Sequence, residues 1–320
     1  MPDPVIGWLL DSDPAIRWQV LRDLLDAPEA EWRAERARVE TTGWGARLLS
    51  NQDADGQWAG GAFVPAGFDW SEWHSVGQPW TATGFSLTQL REFGIDPDSG
   101  IARRTVALVG MNAHWDHDHQ PFWEGEVEEC INGRTVADGA YFGVDVAPIV
   151  ERLVGQRLAD GGWNCERING SLRSSFATTI NVLEGLLEFE RSTGGTAASR
   201  EARRSGEEYL LARQLFRRLS TGEVADPAFL EFTHPNRWRY DVLRALDYFR
   251  SAGLLARPDR RIAEAIDHVQ SRRQPDGRWV LDRQLAGRVW FDVDDGQGQP
   301  SKWVTLRAMR VLRWWREQGA

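Results

Sequence analysis

The 320-residue chain has only two cysteines, Cys130 and Cys165, so a disulfide framework cannot carry its fold and at most one bridge can form. A chain this long buries enough surface to manage without such staples. It has no apolar run approaching the roughly 18 residues that a membrane-spanning helix needs. Its first stretch, MPDPVIGWLLDSDP, lacks the basic region and small-residue cleavage site of a signal peptide. The expectation is a soluble, cytoplasmic protein with no transmembrane segment. A basic excess is missing as well. The 38 Lys and Arg face 47 Asp and Glu, for a net charge of −9, which argues against a nucleic-acid partner. The strings G-x-G-x-x-G, G-x-S-x-G and H-E-x-x-H and the Walker A pattern are absent, which removes the usual nucleotide-binding, α/β-hydrolase and zincin readings.

What the chain has is tryptophan, 17 of them against 13 Phe and 4 Tyr. So many indoles need a structural use, a binding use, or both. Part of the structural use is visible as a repeat. Gln52-Asp-Ala-Asp55-Gly56-Gln-Trp58, Arg157-Leu-Ala-Asp160-Gly161-Gly-Trp163 and Arg273-Gln-Pro-Asp276-Gly277-Arg-Trp279 share the form [Q/R]-x-x-D-G-x-W. Each follows an amphipathic stretch, so Asp-Gly reads as a helix stop and turn, with the Trp folding back over the helix end.

Between these turns lie helical patterns, apolar at i, i+3, i+4 and i+7. Six of one type fall near residues 14–26, 79–93, 136–147, 174–190, 236–250 and 301–317. Five alternate with them, near 30–51, 99–112, 147–157, 202–219 and 257–272. Asp13-Pro14, Pro235-Asn236 and Pro300-Ser301 supply start signals. Strand signals are sparse. Helical hairpins repeated in this way predict an all-α fold, an (α/α)6 toroid in one domain over 1–320. In that fold six inner helices ring a cavity, and the first and last are both of the inner type.

With these repeats the chain resembles the terpenoid cyclase and protein prenyltransferase superfamily, whose repeats have the forms Q-x-x-x-G-x-W and Q-x-x-D-G-G-[FW]. It looks most like short, single-domain bacterial squalene-cyclase-like proteins. The resemblance implies an isoprenoid-like hydrophobic ligand, leaves room for peripheral membrane contact, and directs attention to three groups of residues.

The first is Asp292-Val-Asp294-Asp295, the D-x-D-D string that class II cyclases use as general acid. Asp294 or Asp295 would protonate an alkene, with Asp292 as the supporting carboxylate, because clustered carboxylates raise one another's pKa. The register is shifted, since Gly296-Gln-Gly-Gln-Pro300 intervenes before the helix. The second is aromatic. Trp80, Tyr141, Trp238, Tyr240 and Trp303 stand at or near inner helices, where ring faces would line a cavity and stabilise a carbocation. The third is a metal set, Cys130, Cys165 and His234, which fits zinc's preference for nitrogen and sulfur ligands. The cluster His114-Trp-Asp116-His117-Asp118-His119, with Glu124, Glu126, Glu128 and Glu129 following, is a further candidate for a divalent ion such as magnesium. Arg173, Arg237, Arg239 and Lys302, near inner-helix starts, could hold a diphosphate.

The resulting expectation is a terpenoid cyclase-like protein working by acid-initiated cyclisation. A zinc-dependent prenyltransferase-like or hydrolytic enzyme and a non-catalytic toroid binding module are the alternatives.

Overall fold

A computed structural model describes residues 3–253 and 259–319. Among these residues the chain is all-helical, with only isolated β-bridges outside the helices. The α-helices are α1 Pro4–Leu10, α2 Pro14–Asp23, α3 Glu29–Ala37, α4 Gly43–Leu49, α5 Trp73–Val76, α6 Thr83–Phe93 and α7 Gly100–Asn112. They continue as α8 Glu129–Tyr141, α9 Ala147–Gly155, α10 Phe176–Thr193, α11 Ala197–Leu211, α12 Val242–Ala252, α13 Ala263–Ser271 and α14 Lys302–Glu317.

The chain divides into two compact units. One comprises Met1–Glu35, Glu207–Leu285 and Asp292–Ala320, and the other Arg36–Gly206 and Ala286–Phe291. In the first, α14 packs on both α12 and α2, so the last inner helix lies beside the first. Arg310 of α14 ties these three helices together. It donates to Asp247 Oδ1 at 2.8 Å, Gln19 Oε1 at 2.9 Å and Asp23 Oδ2 at 3.3 Å. In the second unit α8 packs on α6 and α10. The α8–α10 contact is made by glycine: a Cβ on Gly133 would lie 2.6 Å from the Asn181 carbonyl, and one on Gly185 would lie 2.3 Å from the Gly133 oxygen.

The three turn motifs are built alike. Trp58, Trp163 and Trp279 are buried, and each indole N–H donates to a carbonyl ten residues upstream. The acceptors are Leu48, Leu153 and Val269, at 2.8, 2.7 and 2.7 Å, all in the preceding helix. Each backbone N–H of these tryptophans donates to a threonine hydroxyl in the next inner helix: Thr83 at 3.1 Å, Thr179 at 3.1 Å and Thr305 at 3.0 Å. The motif glycines sit at φ of 91°, 105° and 86°, which a side chain would strain. Gln52 and Arg273, at the motif's first position, both donate to the glycine carbonyl, at 2.8 and 3.3 Å. That shared role explains why Arg can replace Gln.

Several helices differ from the periodicity reading. The helix expected near 136–147 runs instead over Glu129–Tyr141. It is buried nearly all round and carries Asn132, Gly133, Arg134 and Thr135 against its neighbours, so no apolar period marks it. The helix expected near 236–250 begins at Val242, where Asp241 accepts the Arg244 N–H at 2.8 Å, because Arg237 in the left-handed region turns the chain first. The pattern at 30–51 is broken into α3, a short 3-10 turn and α4. The helix expected near 79–93 begins only at Thr83, and that near 202–219 runs over Ala197–Leu211. Residues 257 and 258 of the helix expected at 257–272 lie outside the described residues, and the remainder forms a 3-10 segment, Arg260–Ile262, followed by α13.

Candidate functional sites

The third turn motif leads directly to the acidic string. After Trp279 the chain pairs with itself: Leu281 N donates to Gln299 O at 2.9 Å, Gly298 N to Leu281 O at 2.7 Å and Ser301 N to Trp279 O at 2.9 Å. This hairpin loop, turned by Gly296 and Gly298 at positive φ, folds the shifted acidic string back over the start of α14. Ser301 Oγ donates to Asp294 Oδ2 at 2.8 Å, and the Lys302 backbone N–H donates to Oδ1 at 3.2 Å. Ser301 is also the helix N-cap, accepting the Val304 N–H at 3.0 Å. The register shift is therefore absorbed by the loop.

Asp294 is half-buried, and burial pushes its carboxyl up to about 7 against the pull of Ser301, Lys302 and Arg307. The neighbouring Asp295 carboxylate adds to the rise. Asp292 and Asp295 themselves are exposed, with Gln284 Nε2 3.5 Å from Asp292. Of the three predicted acids, Asp294 is the one partly shielded from solvent. Lys302, the single lysine in the chain, stands beside it.

His234, Asn236, Arg237, Asp241, Arg244 and Trp303 are buried in the same unit. The His234 ring stacks on Trp303 at 4.5 Å, and both of its nitrogens lack hydrogen-bond partners among the described residues. Burial holds its pKa well below the usual 6.5, with Arg307, Arg237 and Arg310 adding to the effect, so the ring is neutral. Asn236 accepts from Arg307 and donates to Asp241 Oδ2 at 2.6 Å. Three guanidinium groups thus stand near the ring that the sequence offers as a zinc ligand.

The other two expected ligands do meet, but in the other unit. Cys130, in the first turn of α8, and Cys165, in the 3-10 segment Cys165–Asn169, are joined as a disulfide with Cα atoms 6.1 Å apart. Among the described residues the convergent group of ligand-type atoms is Glu128, Cys130 and Cys165, all within 4.8 Å of one another. Glu128 Oε2 lies 3.5 Å from Cys130 Sγ. Burial raises the Glu128 carboxyl to about 7, helped by Glu126, Glu166 and Glu129. Sequence reasoning placed Glu128 in the histidine-rich cluster instead. In that cluster His114 and His119 stack at 4.2 Å and His117 reaches Asp118 at 3.3 Å, while Asp116 accepts the Phe63 N–H at 3.2 Å. None of the three histidines joins the convergent group.

Three of the five expected substrate-facing aromatics, Trp80, Tyr141 and Tyr240, are held by their polar ends. Trp80 donates to Ala286 O at 2.8 Å and packs edge-on against Phe85 at 4.9 Å. The Tyr141 hydroxyl donates to Ile95 O and accepts from Arg36 at 2.8 Å. The Tyr240 hydroxyl donates to Leu215 O, and its pKa is pushed well above the usual value by burial. Trp238 is half-buried under the Arg239 guanidinium at 4.7 Å. Arg173 is exposed.

Sequence reasoning missed a small aromatic cavity in the second unit, lined by Phe63, Phe85, Trp115 and Phe122 with Arg134 and Asp138. Arg134 lies over the Phe85 ring at 4.5 Å and donates to Thr88 Oγ1 at 3.0 Å. Thr88 and Arg91 each donate to Asp138 at 2.7 Å. These residues come from segments far apart in sequence and form no local motif.

No family model matches the chain, and no curated protein matches it. Among solved structures it is similar to a variant of the type II terpene cyclase MstE from Scytonema, in complex with its substrate geranylgeranyl dihydroxybenzoate. The two are 15% identical with a TM-score of 0.48, over 95% of this chain and 87% of that one. Against the apo form of MstE the identity is 15% and the TM-score 0.39, over 89% and 98% of the two chains.

Proposed function

We propose that the chain is an acid-initiated cyclase acting on an isoprenoid-type hydrophobic substrate, with Asp294 as the proton donor. The observation that carries this reading is the Asp294 carboxyl, half-buried at the start of α14 and raised to about 7. Such a group is about half protonated at neutral pH, where an ordinary aspartate is ionised. A general acid needs a pKa near the working pH.

In the first step the Asp294 proton adds to one carbon of an alkene, leaving the cation on the other carbon. The π electrons of the next alkene close a ring onto that cation. A final proton loss to water restores a double bond, and solvent returns a proton to Asp294, so the net reaction is an isomerisation. The carboxylate left behind is met by the Ser301 hydroxyl and the Lys302 N–H, whose hydrogen bonds strengthen onto the ionised oxygens. Trp303, in the first turn of the same helix, belongs to the same unit as the acid, as do Trp238 and Tyr240. They are the proposed cation-stabilising rings of that unit.

The test is product analysis by mass spectrometry after incubation with polyprenyl substrates, geranylgeranyl dihydroxybenzoate among them. Cyclised product from the wild-type chain is expected, with a loss of roughly 10²–10⁴-fold in Asp294→Asn. Undiminished turnover in that variant would remove Asp294 as the acid. Binding of every probe without turnover by the wild-type chain would leave a binding module instead.

A further inference from the structure

We propose that Cys130 and Cys165, in their reduced form, join Glu128 in a binding site for a zinc-class divalent cation, gated by the disulfide. This site is independent of Asp294 and lies in the other unit of the chain.

The geometry is that of a ligand set. Glu128 Oε2 and Cys130 Sγ are 3.5 Å apart. With Zn–S of about 2.3 Å and Zn–O of about 2.0 Å, a tetrahedral ion places its oxygen and sulfur ligands about 3.5 Å from each other. All three ligand atoms fall within 4.8 Å of one another, and all three residues are half-buried, so the group is reachable from solvent.

The surroundings point the same way. Cys165 Sγ receives the Cys130 backbone N–H at 3.3 Å and the Thr178 hydroxyl at 3.4 Å. Donors aimed at a sulfur stabilise its thiolate form, as outer partners do at metal-bound cysteines. The N–H comes from the first turn of the 13-residue helix α8, where the helix dipole also favours an anion. The neighbouring charges are carboxylates: Glu126, whose Oε2 accepts the Glu128 N–H at 2.7 Å, and Glu129, which is paired with Arg167. Glu129 is buried, and its Oε2 has no hydrogen-bond partner among the described residues. Two thiolates and a carboxylate in that setting leave three negative charges close together. A divalent cation reduces the sum to one.

The chemistry balances with a thiol reductant. Two thiols supply two electrons and two protons and become one disulfide, while the Cys130–Cys165 bond becomes two thiols. The cation then displaces both thiol protons and takes the Glu128 carboxylate as its third ligand. A fourth position is left for water or a ligand, the pattern of an open zinc site. Oxidation, which rejoins the sulfurs, removes two of the three ligands.

The full-length chain, reduced with a phosphine and freed of reductant under nitrogen, is titrated with Co²⁺ and then Zn²⁺. One equivalent of Co²⁺ should give thiolate-to-cobalt charge-transfer absorption, which Zn²⁺ bleaches. The oxidised chain should bind neither ion. Cys165→Ser should lose the absorption. Glu128→Gln should keep it and weaken affinity at least tenfold, with circular dichroism confirming that each variant is folded. His234→Ala should bind like wild type. No charge transfer in the reduced wild type would overturn the proposal, as would equal affinity in Glu128→Gln or loss of binding in His234→Ala.

Discussion

Replacing Asp294 by Asn separates a proton donor from a structural carboxylate, because the two roles give stability changes of opposite sign. In the folded chain the Asp294 pKa is about 7, against an ordinary 3.8. A carboxyl raised in this way binds its proton more tightly folded than unfolded, so stability falls as pH rises between those two values. The protonated acid's contribution is whole below about 3.8, declines by about 1.4 kcal/mol per pH unit, and is gone above about 7. The whole span is worth about 4 kcal/mol.

Asparagine has the shape of the protonated acid and no charge to bury. Its Oδ1 can take the Lys302 N–H, and its Nδ2 can donate to Ser301 Oγ, which now accepts where it donated before. The variant is expected to be more stable than wild type by about 4 kcal/mol near pH 8 and by about 2 kcal/mol near pH 5, while turnover is lost. Guanidinium unfolding of both proteins at the two pH values gives the difference directly. A variant less stable than wild type at pH 8, or a difference that does not change with pH, would refute the raised pKa and the acid role built on it.

Four further outcomes test the framework around the sites. Thr179→Val leaves the buried Trp163 N–H without its acceptor and should cost about 1–3 kcal/mol in denaturant unfolding, most of it restored by Thr179→Ser. Gly133→Ala puts a methyl against the Asn181 carbonyl at 2.6 Å and should cost about 2 kcal/mol or more. Gly155→Ala, with open space around its Cβ, should be neutral or stabilise by up to about 1 kcal/mol in the same assay. Arg310→Met leaves Asp23 with Arg22 and Asp247 with Arg250 and should cost about 1.5–3 kcal/mol near neutral pH. Burial raises the Asp247 pKa, but Arg310 and Arg250 outweigh it and hold the carboxyl below the ordinary range. Its stabilisation is therefore present above pH 3.8 and lost as pH falls, so the measured penalty should shrink toward acid.

The helices legible in the sequence are those with one wet face. The helix α14 shows its period plainly and begins beside the Ser301 that caps it. The helix α8 was misplaced because both its faces are dry. Its polar residues are satisfied by neighbouring helices, such as Thr88 and Arg91 reaching Asp138, so the usual contrast between apolar and polar positions is missing. The group Glu128, Cys130 and Cys165 was half legible for a related reason. Two cysteines invite pairing, but the position of Glu128 beside them depends on where the chain turns into α8. With the start of that helix misplaced, Glu128 read as one carboxylate in an acidic run.

Both sites nevertheless hang on the feature that was clearest in the sequence. Each D-G-x-W tryptophan N–H is fixed to a threonine hydroxyl of the next inner helix, within 3.1 Å in all three copies. The chain between those two anchor points differs in length, with separations of 25, 16 and 26 residues. Since the ends are fixed alike, any extra residues must loop out from a constant frame, and loops on a rigid frame are where chemistry can vary without cost to the core. The segment after Trp163 carries Cys165, and the segment after Trp279 carries Asp294. The segment Gly296–Pro300 lies in the loop anchored at Trp279 and Thr305, and that loop brings Asp294 onto Ser301 and Lys302 at the start of α14.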